Sequence, residues 1–392
     1  MIDREMHSKL HELAGKYPIL SVTGPRQGGK TTLVRSAFAD YEYLSMEDPD
    51  VRSEFEDDPR LFLSRHASHI IFDEAQRTPE LFSYLQGIVD ETRQPGQFVI
   101  TGSQNFLLMK SIGQSLAGRV ALFTLLPLSY HELAGADREP MDPFDWLYRG
   151  GYPRLVADGI DPLDFFPDYV STYLERDVRA ELGVRNLSAF QTFLKLCALR
   201  VGQLLNVSSL ASDCGISPNT AKEWLSILGA SHLVFLLRPH CASPTKRLVK
   251  SPKLYFCDTG LAAHLMGISS SEELSGSPLK GPLFECAVIS ELKKRGYARK
   301  RDPQLTFWRD SRKREIDVLV ERGARVVRAV ECKSSTTYQS RYFDVLNKIA
   351  QDEFSLDVRQ QAVVYGGEAE ARTPRGDMVP YTRIGTLLGL DG

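Results

Sequence analysis

Ile19-Leu20-Ser21-Val22-Thr23-Gly24-Pro25-Arg26-Gln27-Gly28-Gly29-Lys30-Thr31-Thr32-Leu33-Val34 is the stretch on which the reading of this chain turns. Its first five residues make a β-prone run of the kind found in strands buried on both faces. Gly24 and Gly29 then stand at the two places where backbone N–H groups must face an anion with no Cβ in the way, and Gly28 adds a further permissive position. Thr32-Leu33-Val34 begins a helix whose positive end points back at the loop. The pattern predicts a phosphate-binding loop set between a buried strand and a helix.

Within that loop, Gly24, Pro25, Arg26, Gln27, Gly28, Gly29, Lys30, Thr31 and Thr32 are the expected nucleotide-binding residues, with Mg·ATP as the ligand. Lys30 supplies a point charge for the β- and γ-phosphates, and Thr31 a hydroxyl for Mg²⁺. Further on, Ile70-Ile71-Phe72-Asp73-Glu74 is an apolar strand ending in two carboxylates. Asp73 is expected to hold Mg²⁺ through water, and Glu74 to orient or deprotonate the attacking water. Phe98-Val99-Ile100-Thr101 leads into Gly102-Ser103-Gln104-Asn105, where Ser103 or Gln104 would sense the phosphate; the alternative is a polar turn capping the next helix. Arg119 is the candidate for the arginine that stabilises charge on the transferring phosphoryl group, often across a subunit boundary.

Working outward, strands are expected at 19–23, 41–44, 69–72, 98–101 and 120–125. Helices are expected at 30–38, 59–66, 79–91 and 106–115. Such alternation implies an α/β fold with a parallel sheet. The chain has 392 residues, 42% hydrophobic and 25% charged, which predicts two or three globular domains. A net charge of −2 leaves nucleic-acid binding to local basic patches. Cys197, Cys214, Cys241, Cys257, Cys286 and Cys332 form no C-x-x-C pair, so they read as reduced thiols rather than zinc ligands or a disulfide framework. A charged N-terminus and the lack of any apolar run near ~18 residues argue for a cytoplasmic protein with no membrane partner.

After Pro127 the sequence becomes aromatic and proline-rich, with Gly150-Gly151-Tyr152-Pro153 as a prominent break. Leu210-Ala211 and Ala221–Leu228, separated by Cys214-Gly215-Ile216-Ser217-Pro218-Asn219, read as a helix-turn-helix. Runs at 233–237 and 253–256 bracket Lys246-Arg247-Leu248-Val249-Lys250 as a wing. Lys222 is the only base on the second helix, so that helix is as well suited to docking a protein as to reading DNA.

Taken together, Gly24–Thr32, Ile71-Phe72-Asp73-Glu74-Ala75-Gln76, Thr101-Gly102-Ser103, Ser115-Leu116-Ala117-Gly118-Arg119, Leu126-Pro127-Leu128-Ser129 and Tyr255-Phe256-Cys257-Asp258-Thr259-Gly260-Leu261 resemble prokaryotic AAA-type (AAA+) P-loop ATPases fused to a C-terminal domain of unknown function. The resemblance spans nearly the whole chain. It implies an ATPase core over 1–135, a small helical junction over 136–190, a winged helix over 191–270 and a restriction-endonuclease-like domain over 271–392. Glu285 on a helix, Asp317 in Ile316-Asp317-Val318-Leu319-Val320, and Glu331-Cys332-Lys333 resemble the acid, acid, E-x-K layout of PD-(D/E)xK nucleases. A three-residue turn at Arg322-Gly323-Ala324 would place Asp317 opposite Ala329, with Asp317, Glu331 and Lys333 on one face. Asp317 and Glu331 would then bind Mg²⁺ while Lys333 positions a water. The plain alternative is an ion pair across a hairpin. Lys293-Lys294-Arg295, Arg299-Lys300-Arg301 and Arg312-Lys313-Arg314, interleaved with Tyr297, Phe307 and Trp308, suit a phosphate backbone. Two functions are therefore expected: ATP-controlled engagement of DNA, with ATP between the subunits of a homo-oligomer, or a nucleotide-gated scaffold whose inactive nuclease-like tail recognises another protein.

Overall fold

The structure is a computed structural model and describes residues 2–103, 112–113, 115–174, 186–240, 251–323 and 325–389. Its contacts divide into two compact units. One holds Met1–Leu128 with Ala230–His232 and Tyr297–Arg301, and the other holds the remaining residues.

The first unit is built on five parallel strands: β1 Ile19–Thr23, β2 Glu42–Ser45, β3 Ile70–Asp73, β4 Phe98–Gly102 and β5 Val120–Thr124, in the order β2-β3-β4-β1-β5. Side chains alternate between its two faces. Ile19, Ile70, Phe72, Phe98 and Ile100 enter one apolar cluster, and Leu20, Val22, Ile71 and Val99 enter the other. Helices α1 Met6–Ala14, α2 Lys30–Ala37, α3 Pro49–Asp57, α4 Pro59–Arg65 and α5 Leu81–Thr92 cover the sheet. Asp48 caps α3 through Asp50 N, and Asp58 caps α4 through Arg60 N and Leu61 N, each just ahead of a proline at the first helical position. The expected helix 79–91 begins two residues later than anticipated, and α1 and α3 were not anticipated. The expected helix 106–115 lies mostly outside the described residues.

Residues expected as a junction, a winged helix and a tail share one core in the second unit: Trp146, Tyr152 and Phe166 cluster with Phe190, Phe193 and Trp224, and with Phe284, Val318 and Val364. Helices Leu187–Leu199, Val207–Asp213 and Pro218–Ala230 precede strand β6 Val234–Pro239 and strand β7 Lys253–Phe256, which pair antiparallel. The basic stretch 246–250 lies outside the described residues. β6 also pairs in parallel with β8 Gln304–Arg309, so the hairpin is continuous with a larger sheet. That sheet adds β9 Glu315–Arg322, β10 Arg325–Lys333, β11 Gln361–Tyr365, β12 Ala371–Thr373 and β13 Gly376–Pro380, in the order β12-β13-β11-β10-β9-β8-β6-β7. Helix Lys280–Ala298 supplies Leu283, Phe284 and Val288 to one face, and helix Phe343–Phe354 supplies Phe343, Leu346 and Ile349 to the other.

The hairpin register differs from expectation. Arg325 pairs with Arg322 rather than with Glu321, and an irregularity between Val326 and Arg328 shifts the ladder further, so that Ala329 faces Leu319 rather than Asp317. A bulge adds one residue to one strand only, which no alternation pattern announces.

Candidate functional site

The C-terminal ends of β1, β3 and β4 converge on one edge of the first sheet, where the register sets Thr23 beside Gly102 and Phe72 beside Ile100. Gly24 leaves β1 at φ +154°, and a Cβ there would lie 2.0 Å from the Leu125 carbonyl oxygen. Only glycine permits that approach. Gly29 at φ +90° opens α2. Between them the loop closes on itself through Gly28 N to Pro25 O at 3.2 Å, with Pro25 buried and Arg26 and Gln27 half-buried. Lys30, 5% exposed, donates to Gly24 O at 3.2 Å and Pro25 O at 2.9 Å, so its ammonium is folded into the loop. Arg4 of the N-terminal segment donates to Gly28 O at 3.0 Å and Leu126 O at 2.6 Å. Thr32 is exposed on the outer side of α2.

Thr31 donates through Oγ1 to Asp73 Oδ2 at 2.9 Å. A Thr31 hydroxyl whose proton is taken up by Asp73 keeps its lone pairs for Mg²⁺, and Asp73 would hold that ion through a water, so the pair fits the cation. Asp73 is buried and also accepts from Tyr43 Oη at 2.6 Å and from Thr101 Oγ1. Burial first, and then Asp73, pushes the Tyr43 hydroxyl well above its ordinary pKa, so it stays a donor. Beside it Glu74 has a left-handed backbone, φ 53°. Its Oε2 accepts from Ser103 Oγ at 3.0 Å and from Gln76 Nε2 at 2.5 Å. Ser103 therefore meets Glu74 directly. Gln104 lies outside the described residues. Arg119 makes a two-pronged pair with Asp90, through Nε at 2.5 Å and Nη2 at 2.8 Å.

The second unit gathers acids at the middle of its sheet. Carboxylate oxygens of Glu285, Glu315 and Asp317 lie within 4.8 Å of one another. Glu285 comes from helix Lys280–Ala298, and Glu315 and Asp317 lie two apart on β9, hence on one face. Asp317 Oδ2 accepts from Cys332 N at 2.8 Å, and Lys333 Nζ donates to Glu331 Oε1 at 2.6 Å. Among the described residues Glu331 Oε2 is buried with no hydrogen-bond partner. Burial, reinforced by Asp317, raises Glu285 to about 7 and Glu331 to about 8. Lys253 of β7 enters the same cluster, donating to Glu285 Oε1 at 2.8 Å and to Glu315, while Tyr255 donates to Glu285. Arg309 holds the other oxygen of Glu315 at 3.0 Å. Period-two alternation along β9 is the signal that could have joined Glu315 to Asp317, whereas nothing in the sequence marked Lys253, in the run beside the expected wing, as a buried partner of these acids. Glu285, Asp317, Glu331 and Lys333 thus lie together, with Glu315, Lys253 and Tyr255 added.

The basic surface is smaller than the sequence suggested. Lys294 pairs with Glu291 at 2.9 Å and Arg314 with Asp310 at 2.7 Å. Phe307 and Trp308 are buried in the sheet's two faces, so neither can stack on a base. Lys222, Arg312 and Lys313 are exposed.

Comparison with known proteins gives three family matches: an AAA domain over residues 16–134, a domain of unknown function, DUF8612, over 142–272, and another, DUF4143, over 280–384. The uncharacterized protein Rv2008c of Mycobacterium tuberculosis is 33% identical over 381 residues, covering 96% of this chain and 82% of that protein. The uncharacterized protein MJ1544 of Methanocaldococcus jannaschii is 23% identical over 399 residues, covering 94% and 86%. Among solved structures, the Walker-type ATPase PABY2304 of Pyrococcus abyssi aligns with a TM-score of 0.46 at 16% identity, over 68% of this chain and 96% of that one. The Thermotoga maritima RuvB Holliday junction branch migration motor aligns at 0.32 and 17%, over 62% and 90%. Among the described residues no helix is long and apolar enough to cross a membrane.

Proposed function

Because this chain belongs to the same family as that mycobacterial protein, and its first unit is a P-loop ATPase domain of the AAA type, we infer that it couples binding and hydrolysis of Mg·ATP to engagement of DNA by its second unit. The observation that carries the ATPase reading is the 2.9 Å approach of Thr31 to Asp73 directly beside Glu74. Loop amides and Lys30 receive the phosphates, Lys30 exchanging its two carbonyl partners for phosphate oxygens. Mg²⁺, when bound, neutralises charge on the phosphates, with Thr31 and Asp73 holding it. Glu74 accepts a proton from the attacking water, and Ser103 links that carboxylate to the end of β4. Arg119 is assigned to a neighbouring subunit's nucleotide, for which it must leave Asp90.

For the tail we propose metal-dependent cleavage of a phosphodiester. A helix, three antiparallel strands, a second helix and a parallel fourth strand follow in that order, as in restriction-endonuclease folds, and Glu285, Asp317, Glu331 and Lys333 collect at their centre. The unpartnered Glu331 Oε2 suits a hard cation, which would polarise the phosphate. Incubation of supercoiled plasmid with Mg²⁺, with and without ATP, tests this reading. Nicking lost in Asp317→Ala and Lys333→Ala supports it, and no nicking by the unmutated chain under any condition overturns it. One observation favours a second reading, a scaffold with an inactive tail: Lys253 already places a cation among these acids. In that case the helix-turn-helix and tail dock a protein, and both tail variants keep full function.

A further inference from the structure

We infer that Gln76 is a further catalytic residue of the ATPase, acting with Glu74 on the attacking water; the inference rests on the ATPase reading above. Gln76 is 5% exposed and lies in the short 3₁₀ turn Ala75–Arg77 that follows β3. The left-handed backbone of Glu74 reverses the chain at once, which brings the Gln76 amide back onto the Glu74 carboxylate, Nε2 to Oε2 at 2.5 Å. Every hydrogen bond that Glu74's side chain makes among the described residues falls on that same Oε2, from Gln76 Nε2, Ser103 Oγ and Ser103 N. Glu74 Oε1 is left as the open oxygen. On the other side of the contact, Gln76 Oε1 is buried and has no hydrogen-bond partner among the described residues. Native structures rarely leave such an acceptor unmet, and water or a ligand ordinarily supplies its donor.

Both oxygens belong to side chains already joined by the Nε2–Oε2 bond. The oxygen and nitrogen of one amide are about 2.3 Å apart, by its standard bond lengths, so Gln76 Oε1 stays within one water's reach of the Glu74 carboxylate. A water between them directs one proton to Glu74 Oε1 and the other to Gln76 Oε1. Both O–H directions are then fixed, and its lone pairs remain for the phosphorus. In the step itself the water oxygen bonds to the γ-phosphorus, the bond to the β-γ bridging oxygen breaks, and the proton on the Glu74 side passes to that carboxylate. The proton held by Gln76 stays on the new phosphate. Glutamine is suited to this because one side chain offers a donor that ties it to Glu74 and an acceptor that cannot itself take the proton.

The test is steady-state ATP turnover and ATP affinity for Gln76→Met, which keeps the shape and removes both polar atoms. Turnover is expected to fall roughly tenfold to a hundredfold, less than the ~10²–10⁴ of a group that transfers the proton, because Gln76 orients the water without taking its proton, while ATP affinity stays within about twofold. Turnover within about twofold of the unmutated chain, or a loss of affinity matching the loss of turnover, overturns the proposal. Gln76→Ala is judged by the same two readouts should the methionine variant fail to fold. Glu74→Gln separates the two claims. If the unmutated chain hydrolyses ATP and Glu74→Gln does not, an active Gln76→Met defeats only the role of Gln76. If the unmutated chain has no turnover, the ATPase reading and this inference fall together.

Discussion

Lys253, on the hairpin strand β7, lies 2.8 Å from Glu285 and is only 1% exposed. Burial opposes its charge, but Glu285, Asp317 and Glu315 outweigh that and raise its pKa, so it remains an ammonium. A lysine so enclosed is held by its counter-charges, and they by it.

Replacing Lys253 with methionine therefore strands buried acids without their cation. Breaking a buried pair costs about 3–5 kcal/mol, so a fall in melting temperature of several degrees is expected. Because the vacated position is flanked by Glu285 and Glu315, Mn²⁺ should restore part of the loss in the variant and stabilise the unmutated chain less. Thermal melts with and without Mn²⁺ measure both effects, and equal metal response in the two proteins counts against a shared position.

The raised carboxyls make a pH prediction of definite sign. Glu285 near 7 and Glu331 near 8 hold protons in the folded chain that the unfolded chain, with an ordinary value of 4.5, has already released. Folding stability from these groups is complete below about 4.5 and is lost as pH rises through 7 and 8. Denaturation midpoints at pH 5.5, 7 and 8.5 should decline, and Glu331→Gln, which mimics the protonated form, should flatten the decline.

Tyr43 reaches Asp73 from the neighbouring strand. Tyr43→Phe removes one hydrogen bond to a charged oxygen, a change of about 1.5–3 kcal/mol. The expected outcome is an Mg²⁺ concentration for half-maximal ATP turnover that is higher by roughly tenfold or more, with ATP affinity in the absence of metal unchanged.

Lys30→Ala should abolish nucleotide binding, whereas Glu74→Gln should bind ATP and turn it over about 10²–10⁴ times more slowly. Equilibrium binding alongside phosphate release distinguishes the two.

The first sheet was legible in the sequence because its inner strands β1, β3 and β4 are buried on both faces: Ile19–Thr23 is an unbroken run, and Lys253–Phe256 in the second unit shows the same character. Thr31 and Asp73 followed from spacing and strand context. Tyr43, Thr101 and Gln76 did not, because each acquires its partner only through sheet order or a left-handed turn, neither of which is written locally. The placement of Lys253 depends on a strand pairing between residues 234–239 and 304–309, far apart in sequence. Phe307 and Trp308 misled for the same reason: aromatics among bases look like a nucleic-acid surface until the sheet claims them.

That pairing of β6 with β8 has a practical consequence for anyone dissecting this chain. A fragment starting near residue 271 would lose β6 and β7, baring the edge of β8 to solvent and to other copies of itself, and would leave Glu285 and Glu315 without Lys253. The tail is not an excisable module. Assays of its chemistry belong on the whole 392-residue chain, and a truncated version that precipitates says nothing about what that chain does.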